Sequence, residues 1–102
     1  MHSHDPAQRV RLTATVSGWV QGVSFRWSTM TYAETMGLVG VAQNLPDGDV
    51  LVIVEGPRAD CQKVLEWLRG GGSQVVRRPG RVDSVDARWG PAQGGFRAFT
   101  CR

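Results

Sequence analysis

The segment Gly18-Trp19-Val20-Gln21-Gly22-Val23-Ser24-Phe25-Arg26 sets two glycines, a hydroxyl and a guanidinium where an alternating stretch gives way to a helical one. The start of a helix carries main-chain N–H groups that have no intrahelical partner, at the positive end of the helix dipole. Glycines let the backbone curl so that these groups converge. The result is a cradle for an anion: phosphate, sulfate or carboxylate. Two glycines before a helix also suit an ordinary tight connection, and it is Arg26 that favours the cradle. A cation in the first helical turn opposes the dipole at a cost of a few tenths of a kcal/mol or more, ~0.3–1, and sequences break such local rules at functional sites. A guanidinium can hold two phosphate oxygens at once, which lysine does less well. The plainer alternative for Arg26 is solvent, or an acid such as Glu34.

Asn44 is the second candidate. It ends a predicted strand just before a turn, and asparagine is a poor strand former. Its neutral amide both donates and accepts, so it can hold a water in one orientation; the alternative is that it merely caps the hairpin. Spacing alone does not show whether Asn44 reaches the cradle.

The elements that must position these residues follow from the hydrophobic periods. Val10, Leu12, Ala14 and Val16 alternate with Arg11, Thr13, Thr15 and Ser17, a strand with one buried face. Phe25, Thr29, Tyr32, Ala33 and Met36 then fall at helical spacing, so a first helix is predicted over about 25–36, with Gly37 as its stop. Residues 39–44 and 50–55 read as a hairpin around Leu45-Pro46-Asp47-Gly48, whose proline and glycine suit a tight turn. Cys61, Val64, Leu65 and Leu68 mark a second amphipathic helix, ended by Gly70-Gly71-Gly72. The glycine run and the arginines up to Gly80 predict a long mobile loop. Val85, Ala87 and Trp89 form a fourth strand with Val82 out of phase, and residues 96–101 a possible fifth. The order βαββαβ with a short closing strand predicts a ferredoxin-like α+β sandwich, an antiparallel sheet with two helices on one face. In that arrangement the second strand lies at the sheet edge.

The whole chain supports this frame. Its 102 residues suit one domain, taken as 9–102 after a disordered tail of 1–8. The longest apolar run, Val50 to Val54, cannot cross a bilayer, and MHSHDPAQR holds no apolar core of the secretory kind. No membrane association is expected, and a cytoplasmic location is. Cys61 and Cys101 lack metal-ligand spacing and are expected to be reduced and buried. His2, His4 and Asp5 lie in the tail and offer a metal no fixed geometry; no metal or other cofactor is expected. Asp47 and Asp49 read as turn chemistry rather than an acid–base pair. Trp19, Trp27, Trp67 and Trp89 read as core cover rather than stacking platforms.

Residues 1–68 hold five Arg or Lys against seven Asp or Glu, whereas residues 69–102 hold seven Arg against two Asp. The basic excess, with Arg77, Arg78 and Arg81 close together, reads first as a solvated loop, then as steering for an anionic ligand or weak nucleic-acid contact. RNA-recognition domains share the βαββαβ order but stack bases on aromatic residues of their first and third strands. Here those strands carry none, so no nucleic-acid partner is expected. A binding domain that keeps the cradle without turnover remains the competing class.

Val16-Ser17-Gly18-Trp19-Val20-Gln21-Gly22-Val23-Ser24-Phe25-Arg26 resembles the acylphosphatase signature V-x-G-x-V-Q-G-V-x-F-R at every fixed position. A second pattern of that family resembles Gly40 to Gly56, including Asn44, Gly48 and Val50; Val41 departs from it by replacing an aromatic, and Gln43 stands where Lys or Arg is common. The resemblance covers about residues 10–102 and implies a ferredoxin-like fold. It implies metal-free hydrolysis of the carboxyl–phosphate bond of a small-molecule acyl phosphate. The amides of Val20, Gln21, Gly22, Val23 and Ser24 would then bind the phosphoryl group together with Arg26, and Asn44 would position the attacking water. It implies a monomer as well.

Overall fold

The computed structural model describes residues 8–72 and 76–102; the first seven residues, with His2, His4 and Asp5, and residues 73–75 of the glycine-rich loop lie outside that description. Five strands and two helices follow in the order β1 (Arg9–Trp19), α1 (Phe25–Glu34), β2 (Val39–Asn44), β3 (Val50–Pro57), α2 (Arg58–Leu68), β4 (Arg81–Pro91) and β5 (Phe99–Cys101). The sheet order is β4-β1-β3-β2-β5, and the fold is the expected ferredoxin-like α+β arrangement.

The alternation of β1 sends Leu12, Ala14 and Val16 into the core with no exposed surface, together with Val50, Val52 and Val54 of β3. From α2, Cys61, Val64, Leu65, Trp67 and Leu68 close over them. Trp67 is fully buried, stacks on Tyr32 of α1 with ring centroids 5.3 Å apart, and donates its indole N–H to the Val76 carbonyl at 2.6 Å. One side chain thus joins both helices and the loop after α2. After α1 the chain turns by a Schellman pattern: Leu38 N–H donates to the Ala33 carbonyl and Gly37 N–H to that of Glu34, both at 3.1 Å.

Five expectations change. β2 is not an edge strand, because β5 covers it. β5 also runs parallel to β2, with Gly40 beside Phe99 and Ala42 beside Cys101, so the sheet is mixed rather than wholly antiparallel. Val82 is out of phase because the β1–β4 register shifts between Ser17 and Gly18; the bulge returns Val82 to the face of Val85, Ala87 and Trp89, all of which pack on the core. Core cover holds for Trp67 but fails for Trp19 and Trp27, which are 64% and 61% exposed. The expectation of two buried thiols fails too: Cys61 is buried, and Cys101 is exposed.

β4 and β5 lie on opposite edges, so residues 92–98 must cross the end of the sheet between them. A buried carboxylate holds that crossing. Glu55, 2% exposed, accepts from Gln93 N–H at 2.9 Å, Gly94 N–H at 3.1 Å and Arg11 Nε at 2.6 Å. The Arg11 guanidinium also lies 5.4 Å from the centre of the Phe96 ring. Burial by itself raises the Glu55 pKa, but these three donors outweigh it and hold the carboxyl below its ordinary value of about 4.5. Its stabilisation is therefore complete above that value and is lost as pH falls through the lowered folded-state pKa. Glu55→Gln is expected to cost about 2 kcal/mol or more at pH 7. Urea unfolding of both proteins between pH 7 and pH 3 should show the gap narrowing toward acid.

Candidate active site

β1 delivers the chain to the site through a forced close approach. At Gly18 (φ 135°) a Cβ would collide with the Arg81 carbonyl and sit 2.8 Å from Asp83 N, so only glycine lets β4 lie this near at the bulge. Gly22 (φ 76°) and Ser24 (φ 64°) then both adopt left-handed backbone, and Ser24 is the one non-glycine among the described residues to do so. These reversals curl residues 20–24 into the start of α1, where Ser24 is the N-cap. Among the described residues, no hydrogen bond takes up a main-chain N–H of Val20, Gln21, Gly22, Val23 or Ser24. Ser24 makes no side-chain cap, and α1 has no acidic residue in its first turn. The positive helix end is left for something anionic.

Gln21 fastens this loop to the hairpin. Its Nε2 donates to the carbonyls of both Leu45 and Asp49, each at 2.8 Å. The hairpin is stiff there: Leu45 N–H donates to the Asp49 carbonyl at 2.8 Å, and Asp47 Oδ1 accepts from Asp49 N–H at 3.0 Å, the turn role expected of Asp47. Asn44, at the end of β2, is thereby held against the loop.

Arg26 reaches neither solvent alone nor Glu34. Its Nη1 donates to the main-chain oxygen of Arg102 at 2.6 Å, and Asn44 N–H donates to the same oxygen at 3.0 Å. Asn44 lies on the helix-side face of β2 with Ala42, which alternation places two residues before it. Its Oδ1 is buried and has no hydrogen-bond partner among the described residues. The Arg26 side chain and the Asn44 main chain, 18 residues apart in sequence, therefore share one acceptor.

A cleft of about 450 Å³ opens beside Arg26. Val20, Gly22 and Ser24 line it from the loop, and Trp27 and Cys101 form further wall. Cys101 Sγ lies 3.9 Å from Met30 Sδ of α1. Partial desolvation raises the Cys101 thiol above its ordinary pKa, against the pull of Arg26 and with the help of Glu34.

The acylphosphatase family model matches residues 12–101, almost the whole chain. The chain belongs to the acylphosphatase family. An acylphosphatase of Mycobacterium avium (strain 104) is 52% identical over 97 residues, covering 95% of this chain and 99% of that one. One from Thermobifida fusca (strain YX) is 51% identical over 92 residues, covering 90% and 96%. Among solved structures, an acylphosphatase from Coxiella burnetii superposes with a TM-score of 0.78 at 33% identity, covering 93% of this chain and 94% of its own. The acylphosphatase of Bacillus subtilis gives 0.79 at 26% identity, covering 91% and 98%.

Within this acylphosphatase frame, Val41 remains buried although it replaces the aromatic of the family pattern. Sequence reasoning missed three contributors. From the sequence Gln21 is expected to act only through its main-chain amide, although a glutamine fixed in a signature invites a side-chain role. The Arg102 oxygen carries no sequence signal, since every residue has one. Cys101 could have been found only by knowing that β5 lies beside β2. The two thiols should separate chemically. Cys61 is fully buried and its thiol is pushed up to about 11, chiefly by burial. Treatment of the native protein with a small thiol reagent near pH 8.5 is expected to give one adduct, on Cys101, and the unfolded protein two, as read by intact mass and peptide mapping.

Proposed function

We propose that this member of the acylphosphatase family hydrolyses small acyl phosphates to carboxylate and inorganic phosphate without a metal, with residues 20–24 and Arg26 holding the phosphoryl group and Asn44 orienting the water. The convergence of Arg26 and Asn44 on one main-chain oxygen, beside a loop of unpaired N–H groups, carries this reading.

Phosphoryl transfer asks for alignment and for stabilisation of charge on the equatorial oxygens. Main-chain N–H groups at a helix start supply fixed dipoles for that charge, and the Arg26 fork supplies a cation in bidentate geometry. With one Nη occupied by Arg102, the guanidinium is held in place before substrate arrives, so less freedom is lost on binding. The buried, unpartnered Oδ1 of Asn44 is an acceptor for a water O–H, which would turn the water lone pair toward phosphorus. The leaving group is a carboxylate whose acid has a pKa near ~4, by analogy with free Glu. It departs as an anion without a general acid, and the residues assigned here include none. One phosphate oxygen can take the proton of the attacking water.

Phosphate release from benzoyl phosphate in the presence of EDTA tests this directly. Wild type is expected to turn over, Arg26→Lys to lose about a hundredfold or more in kcat/KM, and Asn44→Ala to lose a similar factor mainly in kcat. Full activity of Arg26→Lys would overturn the bidentate role. Phosphate binding by a folded wild type that never turns over would identify a binding domain instead.

A further inference from the structure

The cleft is larger than a phosphoryl group requires; about 450 Å³ is within the range of sites that enclose small organic ligands. Residues 20–24 and Arg26 account for the anionic end. Trp27 and Cys101 line the same cleft and have no part in holding phosphate. Trp27 presents an indole that is 61% exposed, although Phe25, Tyr32 and Ala33 of the same helix are buried in the core. Cys101, in the lining of the same cleft, supplies a polarizable, uncharged surface that Met30 supports at 3.9 Å. Among the described residues, none that lines the cleft carries a charge apart from Arg26.

In-line displacement puts the attacking water and the departing carboxylate on opposite sides of phosphorus. The residues assigned to the phosphoryl group line one part of the cleft, and Trp27 and Cys101 line another. The acyl group of the substrate would then project into the cleft. An acetyl group, with a single methyl, is too short to use both walls. A flat apolar acyl group can stack on an indole and meet the thiol.

We propose that Trp27 and Cys101 form an acyl-group subsite that selects aryl or similarly flat, uncharged acyl phosphates over short aliphatic ones. This rests on the hydrolytic reading above for its substrate, and deepens it by naming the class. Trp27 and Cys101 touch the acyl group only, and so act on specificity rather than on the chemical step.

The test compares kcat/KM for benzoyl phosphate and acetyl phosphate, alongside calorimetric binding of benzylphosphonate and methylphosphonate, which carry the same two kinds of tail but are not acyl phosphates. In Trp27→Ala the benzoyl-to-acetyl ratio is expected to fall about tenfold, through KM more than kcat, and Trp27→Phe should restore most of it. Cys101→Phe, which fills the cleft from the thiol's position, should also lower the ratio. The inhibition constant of inorganic phosphate should stay within about twofold of wild type in all three. An unchanged ratio in both Trp27→Ala and Cys101→Phe would overturn the proposal, as would a fall matched by equal weakening of phosphate itself. If wild type turned over neither substrate yet preferred benzylphosphonate in a Trp27-dependent way, the subsite would stand and the hydrolytic reading would fall. Loss of that preference as well would overturn both.

Discussion

The main-chain oxygen of Arg102 receives the Arg26 guanidinium at 2.6 Å and the Asn44 N–H at 3.0 Å, and the geometry of the site depends on its position. A cation in the first turn of a helix sits against the dipole. Left alone, its long side chain would sample solvent at a cost in order to any ligand that needs it. A carbonyl-type oxygen at hydrogen-bond distance offsets part of that electrostatic cost and fixes one end of the guanidinium fork. The same oxygen fixes the end of β2, where Asn44 stands. Neither contact is strong by itself, about 1 kcal/mol for a neutral hydrogen bond and somewhat more for a charged one. Together they set the relation between the Arg26 side chain and the strand end that carries Asn44, which no local element connects.

Arg102 is where it is because β5 runs parallel to β2, and β5 reaches that edge because residues 92–98 cross the sheet end from β4. The crossing has little apolar surface to bury; its tip, Gln93-Gly94-Gly95, is exposed. Glu55 compensates with a buried carboxylate that accepts two main-chain N–H groups and the Arg11 guanidinium. A buried charge is tolerable only when its hydrogen bonds are complete, and here the donors include the very segment that must be held. Stability at one end of the sheet is thus coupled to side-chain order at the other.

The hairpin and the loop between β1 and α1 meet through Gln21, whose amide donates to Leu45 and Asp49. This places the curled loop against the strand end that carries Asn44. The loop itself has unsatisfied N–H groups and left-handed backbone at Gly22 and Ser24, local features that disfavour it in isolation. The surrounding contacts hold it open toward the cleft. Strain and unpaired donors concentrated at one end of an otherwise consistent fold are what a functional site costs a small domain.

Much of this was legible in the residues. Period two in Val10 to Val16 and helical spacing in Phe25 to Ala33 and Cys61 to Leu68 specify faces by local geometry, so the strands, the helices and the buried Cys61 follow from the sequence alone. The signature from Val16 to Arg26 marks the loop, because left-handed turns and unpaired N–H groups need glycine at set positions. Other features were decided by tertiary structure. A three-residue strand is too short to display a period, so the direction and neighbour of β5 are set by the crossing rather than by its own side chains. The phase of Val82 depends on a bulge opposite Gly18, and the exposure of Trp19, Trp27 and Cys101 depends on what other elements leave uncovered. Side-chain type determines which groups can bind or react, but main-chain oxygens are chemically alike at every position. Only the fold selects the one at Arg102 to bring Arg26 and Asn44 together.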